Sequence, residues 1–346
     1  MIVNSFPDTE ITINGKQFLY FGGTSYLGLS THPDFQNNLI RGIKKWGTAY
    51  GSSRNSNVKL LVYDKAEQEL AILIGGDSAV TCSSGTSAAK LVIEYLSKFE
   101  NSFYHYPKTH PAILHNKSKS IFIDGEMHPN LLNKKRENIV ITADILLGLE
   151  VKPTKFDFLN KISSQKKITL VVDESHSLGI VGNYLKGVFS TISNKNLHKK
   201  IMVSSLGKAL SIPGGIIVGD TDFINSLKKE RDFISSSSIN PAYLETFMLS
   251  QQIIKKQQKK LVDNLSFLFE GLDLNSDFKF DKKYPVIYCE NKNIYSFLLE
   301  NGITIANFKY PTYKTEMNRI VINSNHSIDD LKKLKDLLIL FSNDFS

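Results

Sequence analysis

The run Thr169-Leu170-Val171-Val172-Asp173-Glu174-Ser175-His176 decides the fold of this chain. Four apolar or β-branched residues followed at once by polar ones are typical of a strand buried on both faces. A second such run, Val203-Ser204-Ser205-Leu206-Gly207-Lys208, ends in small residues and a lysine. Because ligands of parallel sheets bind beyond the carboxyl ends of the strands, we expect Asp173, His176 and Lys208 to lie at one sheet edge.

The middle of the chain alternates short apolar runs with amphipathic stretches. Apolar residues between Ala88 and Phe99 recur at i, i+3, i+4 and i+7, which predicts a helix directly after a strand. This alternation is typical of right-handed β-α-β crossovers and predicts an α/β fold with a mainly parallel sheet. The predicted strands are Ala79–Cys82, Ser102–Tyr106, Ser120–Asp124, Asn138–Thr142, Ile168–Asp173, Lys200–Ser204 and Ile216–Gly219.

The C-terminal part has a different pattern and predicts a smaller α+β domain. A long helix is expected to begin at Pro241 and to end near Gly271, since proline suits a first turn and glycine follows a helix end. Ser327 is expected to cap the last helix. The strands predicted in between are Val286–Cys289, Thr304–Ala306 and Arg319–Asn323. We therefore divide the chain into an N-terminal segment 1–45, a large domain 46–235 and a small domain 236–346.

The composition argues against a nucleic-acid-binding role. The 346 residues include 42 lysines and arginines against 34 aspartates and glutamates, a formal charge of +8. Five of these cations are arginines, and the lysine pairs Lys255-Lys256 and Lys259-Lys260 fit the solvated face of a helix. No basic stripe interleaved with aromatic residues is present, as a nucleic-acid surface would need.

Cysteine use and hydropathy predict a cytoplasmic protein. Cys82 and Cys289 lie far apart and form neither a C-x-x-C motif nor a disulfide framework, which indicates a reducing compartment. No basic segment followed by an apolar one opens the chain, and no apolar run approaches ~18 residues. We therefore expect no signal peptide, no membrane span and no metal site.

The residues expected at the sheet edge fit one cofactor. Ser84-Gly85-Thr86 interrupts the chain after a predicted strand and opens a helix, whose first N–H groups suit a phosphate. A lone lysine between strands is usually solvated, but Lys208 shares its edge with Asp173, His176 and this anion site. Pyridoxal 5′-phosphate needs such a set: a lysine for its aldehyde, an acid for its ring nitrogen and an anion site for its phosphate.

Four segments resemble motifs of the α-oxoamine synthases, fold-type-I pyridoxal-phosphate enzymes that include 8-amino-7-oxononanoate synthase and 2-amino-3-ketobutyrate CoA ligase. Asp173-Glu174-Ser175-His176-Ser177-Leu178-Gly179 resembles their D-E/D-A-H-x-x-G motif, and Ser205-Leu206-Gly207-Lys208-Ala209-Leu210 their lysine motif. Tyr26-Leu27-Gly28-Leu29 is similar to their N-Y-L-G-L, and Arg319-Ile320-Val321-Ile322-Asn323-Ser324-Asn325-His326 to their C-terminal arginine stretch. The motifs occur in the family's order over nearly the whole chain.

The resemblance implies a role for each matching residue. Lys208 would bind the cofactor covalently and transfer protons, Asp173 would pair with the ring nitrogen, and His176 would hydrogen-bond the ring hydroxyl. Arg319 would bind the amino-acid carboxylate, a task suited to its planar fork. The phosphate contacts implied in the same way are Gly85, Thr86, Ser205 and, from the neighbouring subunit of a homodimer, Ser237.

Two positions of the site are less directly matched. Ser25 takes the place of the asparagine of N-Y-L-G-L and is assigned with the arginine to substrate binding. The catalytic histidine that stacks on the cofactor ring is His110, which follows a strand-like run at about the family's distance after Ser-Gly, or His128. We prefer His110.

The resemblance implies an acyltransferase that condenses an amino acid with an acyl thioester and releases carbon dioxide. Ser25, Tyr63 and the stretch Ala143–Gly148 depart from the family pattern on the acyl-donor side. An aminotransferase is therefore the alternative, and a non-catalytic homologue of the fold is a third interpretation. The sequence leaves open the amino acid, the acyl group and whether coenzyme A or a carrier protein delivers it.

Overall fold

The computed structural model describes residues 1–99, 101–309 and 316–344. The strands are β1 (Glu10–Ile13), β2 (Lys16–Phe21), β3 (Ser78–Cys82), β4 (Ser102–His105), β5 (Lys119–Ser120), β6 (Phe122–Ile123), β7 (Glu126–Met127), β8 (Glu137–Asp144), β9 (Lys166–Asp173), β10 (Leu197–Ser205), β11 (Gly215–Gly219), β12 (Phe278–Phe280), β13 (Val286–Cys289), β14 (Ile303–Lys309) and β15 (Glu316–Val321).

Helices cover both sheets. They are α1 (Pro33–Trp46), α2 (Leu61–Ile74), α3 (Gly85–Ser97), α4 (Pro129–Leu132), α5 (Thr221–Leu227), α6 (Arg231–Ser235), α7 (Pro241–Leu249), α8 (Gln251–Phe269), α9 (Ile294–Glu300) and α10 (Ile328–Asp344). Within the described ranges, none combines the length and the apolar character that crossing a bilayer requires.

A seven-stranded sheet forms the larger part of the molecule, in the order β3-β11-β10-β9-β8-β4-β5. All neighbours from β10 to β5 pair in parallel, and β11 is antiparallel to both of its neighbours. The register sets Asp144 beside Asp173 and Val203 on the other side of Asp173. The predicted α/β fold with a mainly parallel sheet is confirmed, and the carboxyl ends of β8, β9 and β10 lie side by side.

The central strands are buried on both faces. Along β8, Ile139 and Ile141 pack into the larger hydrophobic cluster, and Val140 packs into a second cluster on the opposite face. Each fully buried aliphatic side chain of this kind stabilises the fold by roughly 1.5–3 kcal/mol. This two-sided burial explains why the sheet edge, where polar residues can reach water, carries the chemically active groups.

The smaller, six-stranded sheet combines both ends of the chain, in the order β1-β2-β14-β15-β13-β12. The hairpin of β1 and β2 joins it because β2 pairs in parallel with β14, with Leu19 opposite Ile303. Phe21 stacks on His326 with ring centroids 4.0 Å apart, which ties the same strand to the segment before α10. Part of the predicted N-terminal segment 1–45 therefore belongs to the C-terminal sheet.

Two predicted elements differ from the structure. The strand expected over Ser120–Asp124 is wrong: β5 ends at Ser120, and β6 pairs with β7 in a separate hairpin. Its two-residue turn has positive φ at Asp124 (49°) and Gly125 (83°), as the turns preferred by short hairpins require. The helix expected from Pro241 to near Gly271 is two helices, interrupted at Ser250.

The interruption at Ser250 has a local cause. Its backbone leaves the helical region with φ −104° and ψ 12°. Its buried hydroxyl lies 3.0 Å from Asn38 Nδ2, and the same amide lies 3.4 Å from the Leu249 carbonyl oxygen. A side chain of α1 thus satisfies the polar groups that the break exposes.

Buried Glu174 holds the loop that follows β9. Its Oε1 accepts hydrogen bonds from Val188 N at 2.8 Å and from Phe189 N at 2.7 Å, and the Ser177 hydroxyl donates to Oε2. Burial raises the pKa of this carboxyl. These hydrogen bonds therefore fix the segment that follows Asp173 at the carboxyl edge of the sheet.

Replacing Glu174 by alanine should lower the free energy of unfolding by about 2–4 kcal/mol, because the buried N–H of Phe189 loses its acceptor at roughly 1–3 kcal/mol and the part-buried N–H of Val188 loses it at a smaller cost. Urea unfolding followed by circular dichroism measures this change. Ser177→Ala is the matched control and should cost less, because the two main-chain bonds to Glu174 persist. A loss below ~1 kcal/mol for Glu174→Ala would contradict this account.

Candidate active site

A cavity of about 350 Å³ opens at the carboxyl ends of β8, β9 and β10. The large sheet contributes Asp173, His176 and Lys208 to its lining, and the small sheet contributes Tyr288 and Arg319. Its volume lies at the lower end of the range of ~300–1,000 Å³ that is usual for small-molecule sites. The three residues that the sequence places at one edge are thus brought together.

Lys208 is held inside this cavity by His176. Its Nζ lies 2.8 Å from His176 Nε2. Burial is the main cause that lowers the pKa of Lys208; Asp173 and Asp144 oppose this shift, the charge of Arg319 adds to it, and the resulting pKa is about 8. An appreciable share of the amine is therefore unprotonated near neutral pH, which is the state that attacks an aldehyde.

A chain of hydrogen bonds connects Lys208 with Arg319. His176 Nδ1 lies 2.9 Å from the Tyr26 hydroxyl, and Arg319 Nη2 donates to the same hydroxyl at 2.6 Å. The chain is satisfied when Lys208 donates to Nε2 of a neutral His176 whose Nδ1–H donates to Tyr26. Burial and the charge of Lys208 lower the pKa of His176 well below its usual value, which agrees with this neutral form.

Arg319 has capacity for an anion. Its side chain is buried on β15, yet its Nε is without a hydrogen-bond partner among the described residues. Its surroundings are aromatic, since Tyr284 and Tyr288 line the cavity beside it. A buried guanidinium with an unused N–H suits a carboxylate, whose two oxygens match the guanidinium fork.

Asp173 ends β9 and faces the cavity. Its Oδ1 accepts a hydrogen bond from Ser175 N at 2.7 Å, and the Ser175 hydroxyl in turn accepts from Ser205 N at 2.8 Å. Within the described chain, no lysine, arginine or histidine forms an ion pair with Asp173 within 4 Å. Its carboxylate is therefore fixed in orientation and open to a positively charged partner.

The N-terminus of α3 reaches the same cavity. Ser84 caps the helix by accepting a hydrogen bond from Ser87 N at 3.0 Å. A Cβ on Gly85 would lie 2.9 Å from the Cα of Ser205, so only glycine allows the helix to approach the end of β10 this closely. The first N–H groups of a helix have no partner within it, so Gly85 and Thr86 present an anion site beside Ser205.

The two candidate ring-stacking histidines lie in different places. His110 lines the cavity, and its pKa is lowered by burial while Asp173 opposes the shift. His128 lies outside the cavity lining, where its ring packs edge-on against Tyr104 at 5.3 Å and its Nδ1 accepts from Asn130 N. The geometry favours His110.

Ser25 and Ser237 lie outside the cavity of their own chain. The carbonyl of Ser25 accepts a hydrogen bond from Gly28 N at 2.9 Å in a turn, and the next residue, Tyr26, makes the contacts to the site. Ser237 is exposed, in the segment before α7. The turn places Tyr26 against His176 and Arg319, and a role of Ser25 in substrate binding stays a prediction.

Several residues without a role predicted from the sequence reach the site. Asp144 lines the cavity beside Asp173, Tyr288 comes from β13 of the small sheet, and Tyr284 precedes that strand. A signal for Asp144 was available, because it lies two residues after the predicted strand Asn138–Thr142. The tyrosines had no such signal, because they reach the site only through the packing of the two sheets.

Comparison with known proteins identifies the family. The sequence model described as aminotransferase class I and II matches residues 152–338, more than half of the chain. The chain belongs to the aminotransferase class I and II family. This family is dependent on pyridoxal 5′-phosphate, as expected from the sequence, and solved neighbours of the fold contain that cofactor.

Individual members of the family that resemble the chain are α-oxoamine synthases. A putative 8-amino-7-oxononanoate synthase from Thermodesulfovibrio yellowstonii is 27% identical over 97% of this chain and 91% of its own. An 8-amino-7-oxononanoate synthase from Lysinibacillus sphaericus is 24% identical over 94% of this chain and 88% of its own. The solved serine palmitoyltransferase of Sphingomonas wittichii has the same fold, with a TM-score of 0.82 and 17% identity. The match covers 97% of this chain and 90% of the palmitoyltransferase. The resemblance stated from the motifs is confirmed.

The residues of this family member fit the cofactor. A half-buried amine with a pKa of about 8 lies on Lys208, and Asp173 offers a carboxylate without an ion-pair partner within the described chain. Because Gly85 has no side chain, the first turn of α3 lies directly beside Ser205, where its free N–H groups suit a phosphate. These observations come from the geometry alone and agree with the family.

The lowered pKa of Lys208 can be measured through cofactor capture. We expect the rate at which the apoprotein reacts with pyridoxal 5′-phosphate to rise with pH around a midpoint near 8. Asp173→Asn should move this midpoint to lower pH, because the Asp173 charge favours the protonated amine. Stopped-flow absorbance measures the rate. A midpoint near the 10.5 of an ordinary lysine would contradict the burial argument.

Proposed function

We propose that this protein is a pyridoxal-phosphate-dependent acyltransferase, which condenses an amino acid with an acyl thioester and releases carbon dioxide. The observation that carries the proposal is the convergence of Lys208, Asp173 and the unsatisfied Arg319 on one cavity. The curated relatives named 8-amino-7-oxononanoate synthase, aligned over nearly the whole chain, support it. The product class is therefore an α-oxoamine.

The net reaction balances without a further co-reactant. The Cα–H bond of the amino acid breaks and Lys208 takes its proton. A carbon–carbon bond then forms between Cα and the thioester carbonyl carbon, and the thiolate leaves and takes up a proton. The bond from Cα to the carboxylate breaks, carbon dioxide departs and a proton is added to Cα. When bound, pyridoxal 5′-phosphate supplies the electron sink that stabilises negative charge on Cα.

The residues of the chain orient the amino acid and handle its protons. Arg319 binds the substrate carboxylate, and Tyr26 keeps the guanidinium in place through its hydroxyl. Lys208 takes and returns the proton at Cα, a role suited to an amine with a pKa of about 8. His176, neutral and hydrogen-bonded on both sides, orients Lys208.

Other side chains are assigned to the cofactor. In this proposal Asp173 would pair with the ring nitrogen and His110 would stack on the ring. Gly85, Thr86 and Ser205, which line the cavity at the N-terminus of α3, would hold the phosphate.

Apolar side chains of the cavity favour an acyl donor as the second substrate. They are Leu146, Leu147, Phe308 and Met317, from both sheets. Such a wall accommodates an acyl chain and excludes water from the carbanion formed at Cα. Leu146 and Leu147 belong to the stretch 143–148 that departs from the family pattern, so the acyl chain is the substrate feature in which this protein differs from its relatives.

The decisive assay follows the fate of the amino-acid carboxylate. With a small carboxyl-labelled amino acid alone, we expect slow exchange of the α-proton and little keto acid. Adding a suitable acyl thioester should release labelled carbon dioxide in step with free thiol. Lys208→Ala is the matched control and should release neither, although its fold is retained.

An aminotransferase would give a different result. It would produce keto acid from the amino acid and leave the cofactor aminated, with no thioester consumed across a donor panel. That outcome would replace the acyltransferase proposal.

We further propose that the protein is a homodimer in which Ser237 completes the site of the partner. Ser237 is exposed and outside its own cavity, within the serine-rich segment 235–238. Its hydroxyl is therefore available to a neighbouring subunit, as the resemblance implies for a phosphate contact.

Mixing two defective variants tests the shared site. Ser237→Glu should weaken cofactor binding by repelling the phosphate, and Lys208→Ala removes the reactive amine. Mixed dimers should regain activity, because one of their two sites combines an intact Lys208 with an intact Ser237. Ser97→Glu, at the far end of α3, is the control and should leave activity unchanged. An active monomer in light scattering would contradict the proposal.

A further inference from the structure

Asp144 is a buried carboxylate that the proposed reaction does not yet use. It is the last residue of β8, and the parallel register pairs it with Asp173, the last residue of β9. Both residues line the cavity. Among the described residues, neither forms an ion pair with a lysine, arginine or histidine within 4 Å. Two carboxyl groups therefore lie side by side at the carboxyl edge of the sheet.

The Asp144 side chain also holds the segment that carries His110. Its two carboxyl oxygens lie 3.1 Å and 3.3 Å from His110 N, which donates a hydrogen bond to them. The imidazole of His110 then accepts from Ala112 N at 3.1 Å, which closes the turn. The position of His110 in the cavity depends on this main-chain anchor.

The charges around Asp144 favour its protonated form. Burial and the charge of Asp173 raise the pKa of Asp144 well above its usual value, while the His110 N–H and Lys208 oppose the shift. Asp173, His110 and Lys208 are the charged or titratable groups that face Asp144 from β9 and from the segments after β4 and β10. Two adjacent buried carboxylates cannot both ionise without a large free-energy cost.

We propose that Asp144 is a positioning residue of this site, which anchors His110 through its main chain and leaves Asp173 as the single anion that faces the cofactor ring. The inference rests on the proposed function, because it concerns how the cofactor is held. When Asp144 is uncharged, the negative charge of the pair lies on Asp173, which then attracts a protonated ring nitrogen.

Two substitutions separate the effect of the hydrogen bond to His110 N from the effect of the charge on Asp144. Asp144→Asn keeps an oxygen for His110 N and cannot ionise, so its affinity for pyridoxal 5′-phosphate at pH 7 should stay within about threefold of the wild type. Asp144→Ala removes the acceptor, so its affinity should fall about tenfold or more, as expected for one buried N–H left unpaired. Equilibrium titration followed by absorbance measures both.

The pH titration of the bound cofactor gives the second readout. In the wild type, ionisation of Asp144 at high pH adds a negative charge that favours protonated forms of the cofactor and Lys208. The protonated spectrum should therefore persist to higher pH in the wild type than in Asp144→Asn. A change in fold stability alone would not move this midpoint.

Thr154→Ala is the matched control. Its hydroxyl donates to the Asp144 carbonyl oxygen at 2.7 Å, so its loss weakens the main-chain packing at the end of β8 and leaves the Asp144 carboxyl group intact. This variant should lower the melting temperature without changing cofactor affinity or the spectral titration.

Three results would overturn the inference. Asp144→Asn could bind the cofactor as weakly as Asp144→Ala, Asp144→Ala could bind it as tightly as the wild type, or the titrations of wild type and Asp144→Asn could coincide. If Asp144→Ala does not fold, the titration of Asp144→Asn decides. A wild-type protein that binds no pyridoxal 5′-phosphate would instead refute the proposed function.

Discussion

The hydrogen-bond chain from Lys208 through His176 and Tyr26 to Arg319 is the interaction on which the site depends. Its four members come from four separate parts of the chain: the ends of β10 and β9, the turn after β2, and β15. The chain can form only when the two sheets are docked. Docking also removes water, and this burial lowers the pKa values of Lys208 and His176. The reactive state of the lysine is thus a consequence of tertiary packing.

Much of the fold was predictable because its determinants are local. The runs Thr169–Val172 and Ile201–Val203 are too apolar for half-exposed strands, and the polar residues that follow them define the sheet edge. The pattern did not reveal the break at Ser250, since its cause is a contact with Asn38, more than two hundred residues away. Similarly, the turn at Asp124–Gly125 needed its backbone angles to be recognised as a hairpin.

The site was predictable only in part, for a related reason. Motif positions identified Lys208, Asp173 and Arg319 because each follows or lies within a recognisable strand. Asp144 gains its significance from strand register, which determines the residue beside it and is not visible in either strand alone. Tyr26 lies within a motif, but its contacts depend on how the turn after β2 faces the other sheet. The sequence therefore predicted the residues that belong to a local motif. It missed those that reach the site through strand register or through the packing of the two sheets.

The pairing of β2 with β14 bears on how the protein is made. Leu19 is synthesised long before its partner Ile303, because the two residues lie far apart in the sequence. During translation the edge of β2 stays unpaired until β14 has been synthesised. An unpaired strand edge can pair with other nascent chains. Joining strands this far apart in sequence also makes the last step of folding a slow, entropically costly one. The reactive lysine therefore acquires its full hydrogen-bond chain through Tyr26 to Arg319 only after β14 and β15 have been synthesised and the hairpin has joined their sheet.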